Sequence, residues 1–135
     1  MSLIVESDTE LNDSNKTIVV PTGYVYEILY CGVKLISDGT VGNRQMVLLI
    51  TDEDDAQIIE FPAGSTQAAS LTRYYNFTQG GAHESSFVNT TLNIPICDEL
   101  VVPEGYKIVI KDSAAVAATG DDMTVKLVAR RLRRF

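Results

Sequence analysis

Alternation of apolar and polar side chains along short segments is the feature that most constrains this chain. In residues 106–111, one tyrosine and two isoleucines share one face, while two lysines and a valine share the other. A period of two is typical of β-strands with one buried face. Comparable runs, separated by Gly, Pro, Asn or Asp, lie at 24–30, 33–36, 44–50, 57–61, 71–77 and 124–129.

Helical periodicity is absent from these runs, and the alanine-rich segment 113–118 is too short to form a helix alone. The 135 residues are the usual length of a single domain. We therefore predict an all-β fold, an antiparallel β-sandwich with the jelly-roll winding and about eight strands.

One six-residue pattern occurs twice, as Val-Val-Pro-Thr-Gly-Tyr at 19–24 and as Val-Val-Pro-Glu-Gly-Tyr at 101–106. Proline presets φ for the first central position of a turn, and glycine accepts the positive φ that such turns need. Each copy is predicted to end one strand and to start the next with an inward tyrosine. Two hairpins that need the same turn explain the repeat, so it predicts structure and not a binding site.

The two ends differ from the middle in composition. Residues 6–16 are polar with little to bury, so residues 1–16 are predicted to form an extended arm, residues 17–129 the sandwich and residues 130–135 a basic tail. The tail holds four of the eleven basic side chains and no acid; its residues are Arg130, Arg131, Leu132, Arg133, Arg134 and Phe135.

This tail is the candidate partner-binding segment. A solvated terminus, a DNA contact and a clamp on an acidic partner are all compatible with its composition. Because the rest of the chain is acidic, we favour contact with the acidic body of a neighbouring copy.

The net charge of −7 argues against binding of nucleic acid through its phosphates and against attraction to anionic lipid. The longest apolar run, 46–50, is too short to span a bilayer, and the N-terminus lacks the features of a signal peptide. Two cysteines, Cys31 and Cys97, fit synthesis in a reducing cytosol. No membrane and no nucleic-acid partner is expected.

Catalysis would have to depend on His83, which is the single histidine of the chain. A metal-dependent jelly-roll enzyme needs at least two histidines, and a Ser/His/Asp triad would need a nucleophile elbow that the sequence lacks. We therefore expect a protein that is not an enzyme and has no cofactor.

Two weaker candidate sites remain. The acidic segments 52–55 and 121–122 could supply oxygen ligands to calcium, although neither has the EF-hand spacing and solvated turns are equally acidic. Tyr74, Tyr75 and Phe77 could stack on a sugar, but alternation puts Tyr75 and Phe77 on one face, where core packing explains them.

Several turn and strand motifs together resemble those of small β-sandwich proteins of tailed bacteriophages, especially capsid decoration (cement) proteins. The resemblance covers residues 18–129 and lies in the segments 20–23, 41–44, 48–50, 67–77, 102–105 and 121–123. It implies a non-enzymatic virion protein, made in the host bacterial cytoplasm, that binds the major capsid protein on the capsid surface, often as a homotrimer. It also implies that residues 1–16 would reach adjacent subunits.

Two other functions stay open at this point. A head–tail adaptor or tail component would use the same fold in a ring of copies. A glycan-binding module of a host-recognition fibre would use the aromatic and acidic loops.

Overall fold

The protein is described by a computed structural model that covers residues 2–12, 15–114, 116–117 and 120–133, with side chains for all of these except 8–12. The described residues form ten strands and no helix. The strands are β1 (Ser2–Asn12), β2 (Lys16–Val19), β3 (Tyr24–Ile36), β4 (Met46–Thr51), β5 (Gln57–Pro62), β6 (Thr72–Gln79), β7 (Thr91–Ile96), β8 (Val101–Val102), β9 (Lys107–Asp112) and β10 (Asp122–Arg133).

The strands form two sheets that pack face to face, which confirms the predicted all-β sandwich. The larger sheet has the order β1-β10-β3-β6-β7, with β8 paired to β3, and the smaller has the order β2-β9-β4-β5. All pairs are antiparallel except β6–β7, which is parallel because residues 80–90 carry the chain back before β7 begins. The jelly-roll winding stays a prediction.

The core lies between the sheets and is built from alternate residues of each strand. In β3 the inward positions shift from even to odd numbers: Tyr26 and Ile28 are buried, and so are Cys31, Val33 and Leu35. The change coincides with an irregularity of the β3–β10 register between Val128 and Ala129, which is a β-bulge. Alternation therefore continues through β3 on both sides of the bulge.

The two Pro-x-Gly turns are confirmed as turns, but they are not hairpins. Each connects one sheet to the other, β2 to β3 in the first copy and β8 to β9 in the second. Gly23 and Gly105 have φ of 87° and 79°, the left-handed region that favours glycine. The copies also contact each other, since the Gly23 N–H donates to Glu104 Oε2 at 2.7 Å.

The segment predicted to be an extended arm is a strand of the larger sheet. β1 pairs with β10 from Ser2 to Asp8, and Ile4 packs against the core. Burial raises the pKa of Tyr26, and the hydrogen bond that its hydroxyl donates to Glu6 Oε1 at 2.7 Å raises it further. Polar residues fit in this strand because the outer face of a sandwich sheet stays in contact with solvent.

The predicted domain boundaries also fall inside strands. β2 begins at Lys16, whose side chain is buried, and β10 continues through the predicted boundary at 129 as far as Arg133. Arg130–Arg133 therefore belong to the sandwich, while Arg134 and Phe135 lie outside the described residues.

Candidate binding surface

The outer face of the larger sheet is a grid of side chains set by the strand register. One row runs from Ser7 through Lys126 and Gly32 to Asn76 and Asn93. Residues paired across a sheet project to the same face, so each row is a continuous surface line. The neighbouring rows are Thr124–Lys34–Tyr74–Thr91 and Val5–Val128–Tyr30–Thr78–Pro95.

Three aliphatic side chains and one arginine lie together on the β1 side of this face. We call this group the outer strip and define it as Leu3, Val5, Val128 and Arg130. Leu3 and Val5 are 68% and 62% exposed. They are paired with Arg130 and Val128 of β10. Two exposed aliphatic side chains beside an arginine, on an edge strand of an acidic protein, form a surface suited to contact with another protein.

A cavity of about 270 Å³ lies on the same face between β10, β3 and β6, and we call it the lysine groove. It is open to solvent. Its lining residues are Tyr30, Gly32, Val33, Lys34, Tyr74, Asn76, Thr124 and Lys126.

The floor of the groove is organised by Tyr30. Its hydroxyl donates to Asn76 Oδ1 at 2.8 Å, and Asn76 Nδ2 donates to Asn93 Oδ1 at 3.3 Å. A side chain at Gly32 would place Cβ only 2.8 Å from the Tyr30 hydroxyl oxygen. Glycine in mid-strand therefore allows the tyrosine ring to lie across β3 and reach β6.

The basic residues predicted to bind a partner have contacts within their own chain. Arg130 Nη1 donates to Glu27 Oε1 at 2.9 Å, and the Arg131 guanidinium lies 4.6 Å from the centroid of the Tyr24 ring. Leu132 is half-buried and Arg133 is exposed at the end of β10. Two of the arginines that we predicted to bind a partner therefore already have contacts within their own chain. The intermolecular role of these residues stays a prediction.

A second cationic group, Arg44, is buried at one end of the sandwich. Its Nε and Nη2 atoms donate to the two carboxylate oxygens of Asp121 at 2.8 and 3.1 Å, and Nη2 also donates to Asp38 at 3.1 Å. Nη1 donates to the carbonyl oxygens of Thr40 and Gly42. All five guanidinium N–H groups are used, so Arg44 and Asp121 hold the loops around β4 and β10 together.

The acidic segments considered for calcium have structural contacts instead. Asp52 Oδ1 accepts hydrogen bonds from the backbone N–H groups of Asp54 and Ala56, both at 2.9 Å, as a turn-forming aspartate does. Asp121 binds Arg44 as described. Within the described residues, no group of three or more His, Cys, Asp or Glu side chains could hold a metal ion.

The other residues considered as candidate sites are the three aromatic residues of β6, the single histidine and the two cysteines. Tyr75 and Phe77 are buried in the core, and Tyr74 is 40% exposed on the outer face. His83 is exposed in the loop between β6 and β7. Cys31 is buried, which raises the pKa of its thiol to about 12, while Cys97 is exposed.

The lysine groove was not identified from the sequence, although its components carried a signal. Lys34 and Lys126 alternate with buried residues and so had to face outward, and Gly32 interrupts a strand pattern. Their meeting depends on the pairing of Lys126 with Gly32 and of Lys34 with Tyr74, which local pattern does not determine.

Comparison with family models and with curated proteins found no match. Among solved structures, the chain is similar to one in the "Structure of infectious bursal disease virus Gx strain", with a TM-score of 0.37 and 12% identity. The alignment covers 95% of this chain and 33% of that one, so this chain spans about a third of the viral chain's length. In the described residues no helix is long and apolar enough to cross a membrane.

Proposed function

We propose that this protein is a non-enzymatic structural component of a virus particle, a bacteriophage decoration (cement) protein that binds the assembled capsid through its outer strip. The observation that carries the proposal is the exposure of Leu3 and Val5 next to Arg130 on one face of the sheet edge. The motif resemblance over residues 18–129 gives it additional support.

The energetics suit a lattice-binding protein. Full burial of an exposed aliphatic side chain contributes about 1.5–3 kcal/mol, so Leu3 and Val5 supply useful affinity in each copy. A ligand that binds only the assembled, expanded shell stabilises that shell by mass action. Many weak copies on one lattice add up to a large effect, and no catalytic step is needed.

The proposed partners are the major capsid protein and further copies of this chain, in a homotrimer on the capsid surface. Such a particle component would be made in the host bacterial cytoplasm. Arg133, exposed at the end of β10, is the described part of the predicted basic tail that is best placed to contact an acidic neighbour.

Co-sedimentation with undecorated, expanded shells of the virus that encodes the chain tests the proposal. The wild-type protein should sediment with expanded shells and raise their disruption temperature. The double variant Leu3→Ser, Val5→Ser should lose both effects while its own unfolding midpoint stays unchanged. Ile58→Ser is the matched control, because Ile58 is 57% exposed but lies on β5 of the smaller sheet.

Equal binding by the double variant and the Ile58→Ser control would overturn the role of the outer strip.

The molar mass from light scattering tests the oligomeric state, and a trimer agrees with the decoration function. A ring of six or more copies would contradict it and favour a head–tail adaptor or tail component.

A further inference from the structure

We propose that the lysine groove binds one carboxylate-bearing sugar ring, such as a uronic acid unit of a polysaccharide. The inference is independent of the outer strip, which lies on the β1 side of the same face. It concerns the part of the face that β10, β3 and β6 share.

The charge of the groove selects an anion. Lys34 and Lys126 are on neighbouring strands, and the lining contains no acidic side chain. Neither lysine has a carboxylate within ion-pair distance among the described residues. In a chain with a net charge of −7, two such lysines on one cavity form a local positive site.

The hydrogen-bonded polar side chains near the lysines select hydroxyl groups. Tyr30, Asn76 and Asn93 are already joined by hydrogen bonds, which holds their side chains in place before a ligand arrives. The Tyr30 oxygen can still accept a hydrogen bond, and Asn76 Nδ2 has a second hydrogen to donate. The ring of Tyr74 is partly exposed and lies 5.9 Å from Lys34 Nζ at its centroid, so a sugar whose carbon face packs on this ring would also lie near that ammonium group.

The backbone around the groove disfavours a peptide. β3 is paired on both sides, with β10 and with β6, so its N–H and C=O groups are used within the sheet. A peptide cannot add here as another strand, and recognition must come from side chains. A volume of about 270 Å³ is at the small end of ligand pockets and suits one ring.

Titration of the full-length, ¹⁵N-labelled protein with sodium glucuronate tests the proposal by shifts of backbone amide resonances. The amides of Gly32, Lys34, Asn76 and Lys126 should shift together and saturably. Glucose, which lacks the carboxylate, should bind about tenfold more weakly, as expected for loss of a charge-assisted hydrogen bond. Added salt should weaken the binding of glucuronate.

Two kinds of variant locate the site. Lys34→Gln with Lys126→Gln should abolish the glucuronate shifts, whereas Lys111→Gln, a lysine of the smaller sheet, should leave them unchanged. Gly32→Ala should also weaken binding, because its Cβ would displace the Tyr30 ring while the backbone stays in an ordinary extended conformation. Leu3→Ser with Val5→Ser should have no effect, which separates this site from the proposed capsid contact.

Several results would overturn the proposal. Equal affinity for glucose and glucuronate would remove the role of charge, and equal shifts with sodium acetate would remove the sugar ring. Tighter binding of a tetraglutamate peptide would show that the groove takes an acidic protein segment. Unchanged binding in the double lysine variant would place the site elsewhere.

Discussion

Arg44 and the pair Lys34 and Lys126 are cationic side chains of one acidic protein, but they stand in opposite environments. Arg44 is fully buried, and its guanidinium is matched by Asp121, Asp38 and two backbone carbonyl groups. The two lysines face solvent around a cavity whose lining contains no acid. The charge of Arg44 stabilises the fold, whereas the two lysines form no ion pair within the described residues.

The residue types agree with this division. Arginine presents a planar fork of donors that suits a bidentate carboxylate in the interior. Lysine is a flexible, strongly hydrated cation, so an exposed lysine keeps its hydration and needs no carboxylate partner in the fold. Net charge alone therefore says little about this molecule, because the position of each cation decides its role.

The largest effect should come from Arg44→Met. It leaves Asp121 buried without its cation, which costs about 3–5 kcal/mol of the free energy of unfolding. Lys34→Met on the outer face should change that free energy by less than about 0.5 kcal/mol. Urea denaturation measures both, and equal losses would contradict the contrast between the two regions.

Removal of both partners should cost less than the sum of the single changes. In Arg44→Met with Asp121→Leu neither member of the pair is left as a buried charge without the other, so a double-mutant cycle should show a coupling energy of about 0.5–3 kcal/mol. Strict additivity would mean that the two side chains are stabilised by other neighbours.

Acid should reduce the stability that the ion pairs around Arg44 contribute. The Thr40 N–H donates to Asp38, and Arg44 and Asp121 are also close, so the pKa of Asp38 lies below its ordinary value of 3.8. A carboxyl with a lowered pKa contributes stability above its unfolded pKa, and this is lost as the pH falls through the folded value. Unfolding midpoints measured from pH 5 down to pH 2 should fall less steeply in Asp38→Asn than in the wild type.

The smallest expected effect is a difference in reactivity between the two thiols, one of which is buried and the other exposed. Cys97 is exposed and should be alkylated by iodoacetamide in the native protein. Cys31 is buried with its thiol pKa raised to about 12, so it should react only after unfolding. Mass spectrometry should therefore find one label per chain before denaturation and two after it, and rapid native labelling of Cys31 would show that the core opens.

Much of the sandwich could be predicted because alternation is a local property. The runs at 24–30, 44–50 and 106–111 overlap β3, β4 and β9, and both Pro-x-Gly turns lie where the repeat predicted them. The composition of residues 1–16 predicted an extended arm and gave no sign that residues 2–8 pair with β10, because the pairing of an edge strand is supplied by its distant partner. The parallel β6–β7 pair was also missed, since strand direction depends on a loop path that no local pattern encodes.

The sequence by itself determined most of the strand-forming segments between residues 24 and 129 and the turns with glycine at positive φ, because each depends on residues that are neighbours along the chain. Only the tertiary structure decided which cations are buried and which meet on the surface. Arg44 and Asp121 are 77 residues apart, and Tyr30 and Asn76 are 46 apart. Their contacts follow from strand order and register, which the packing of the whole sandwich sets.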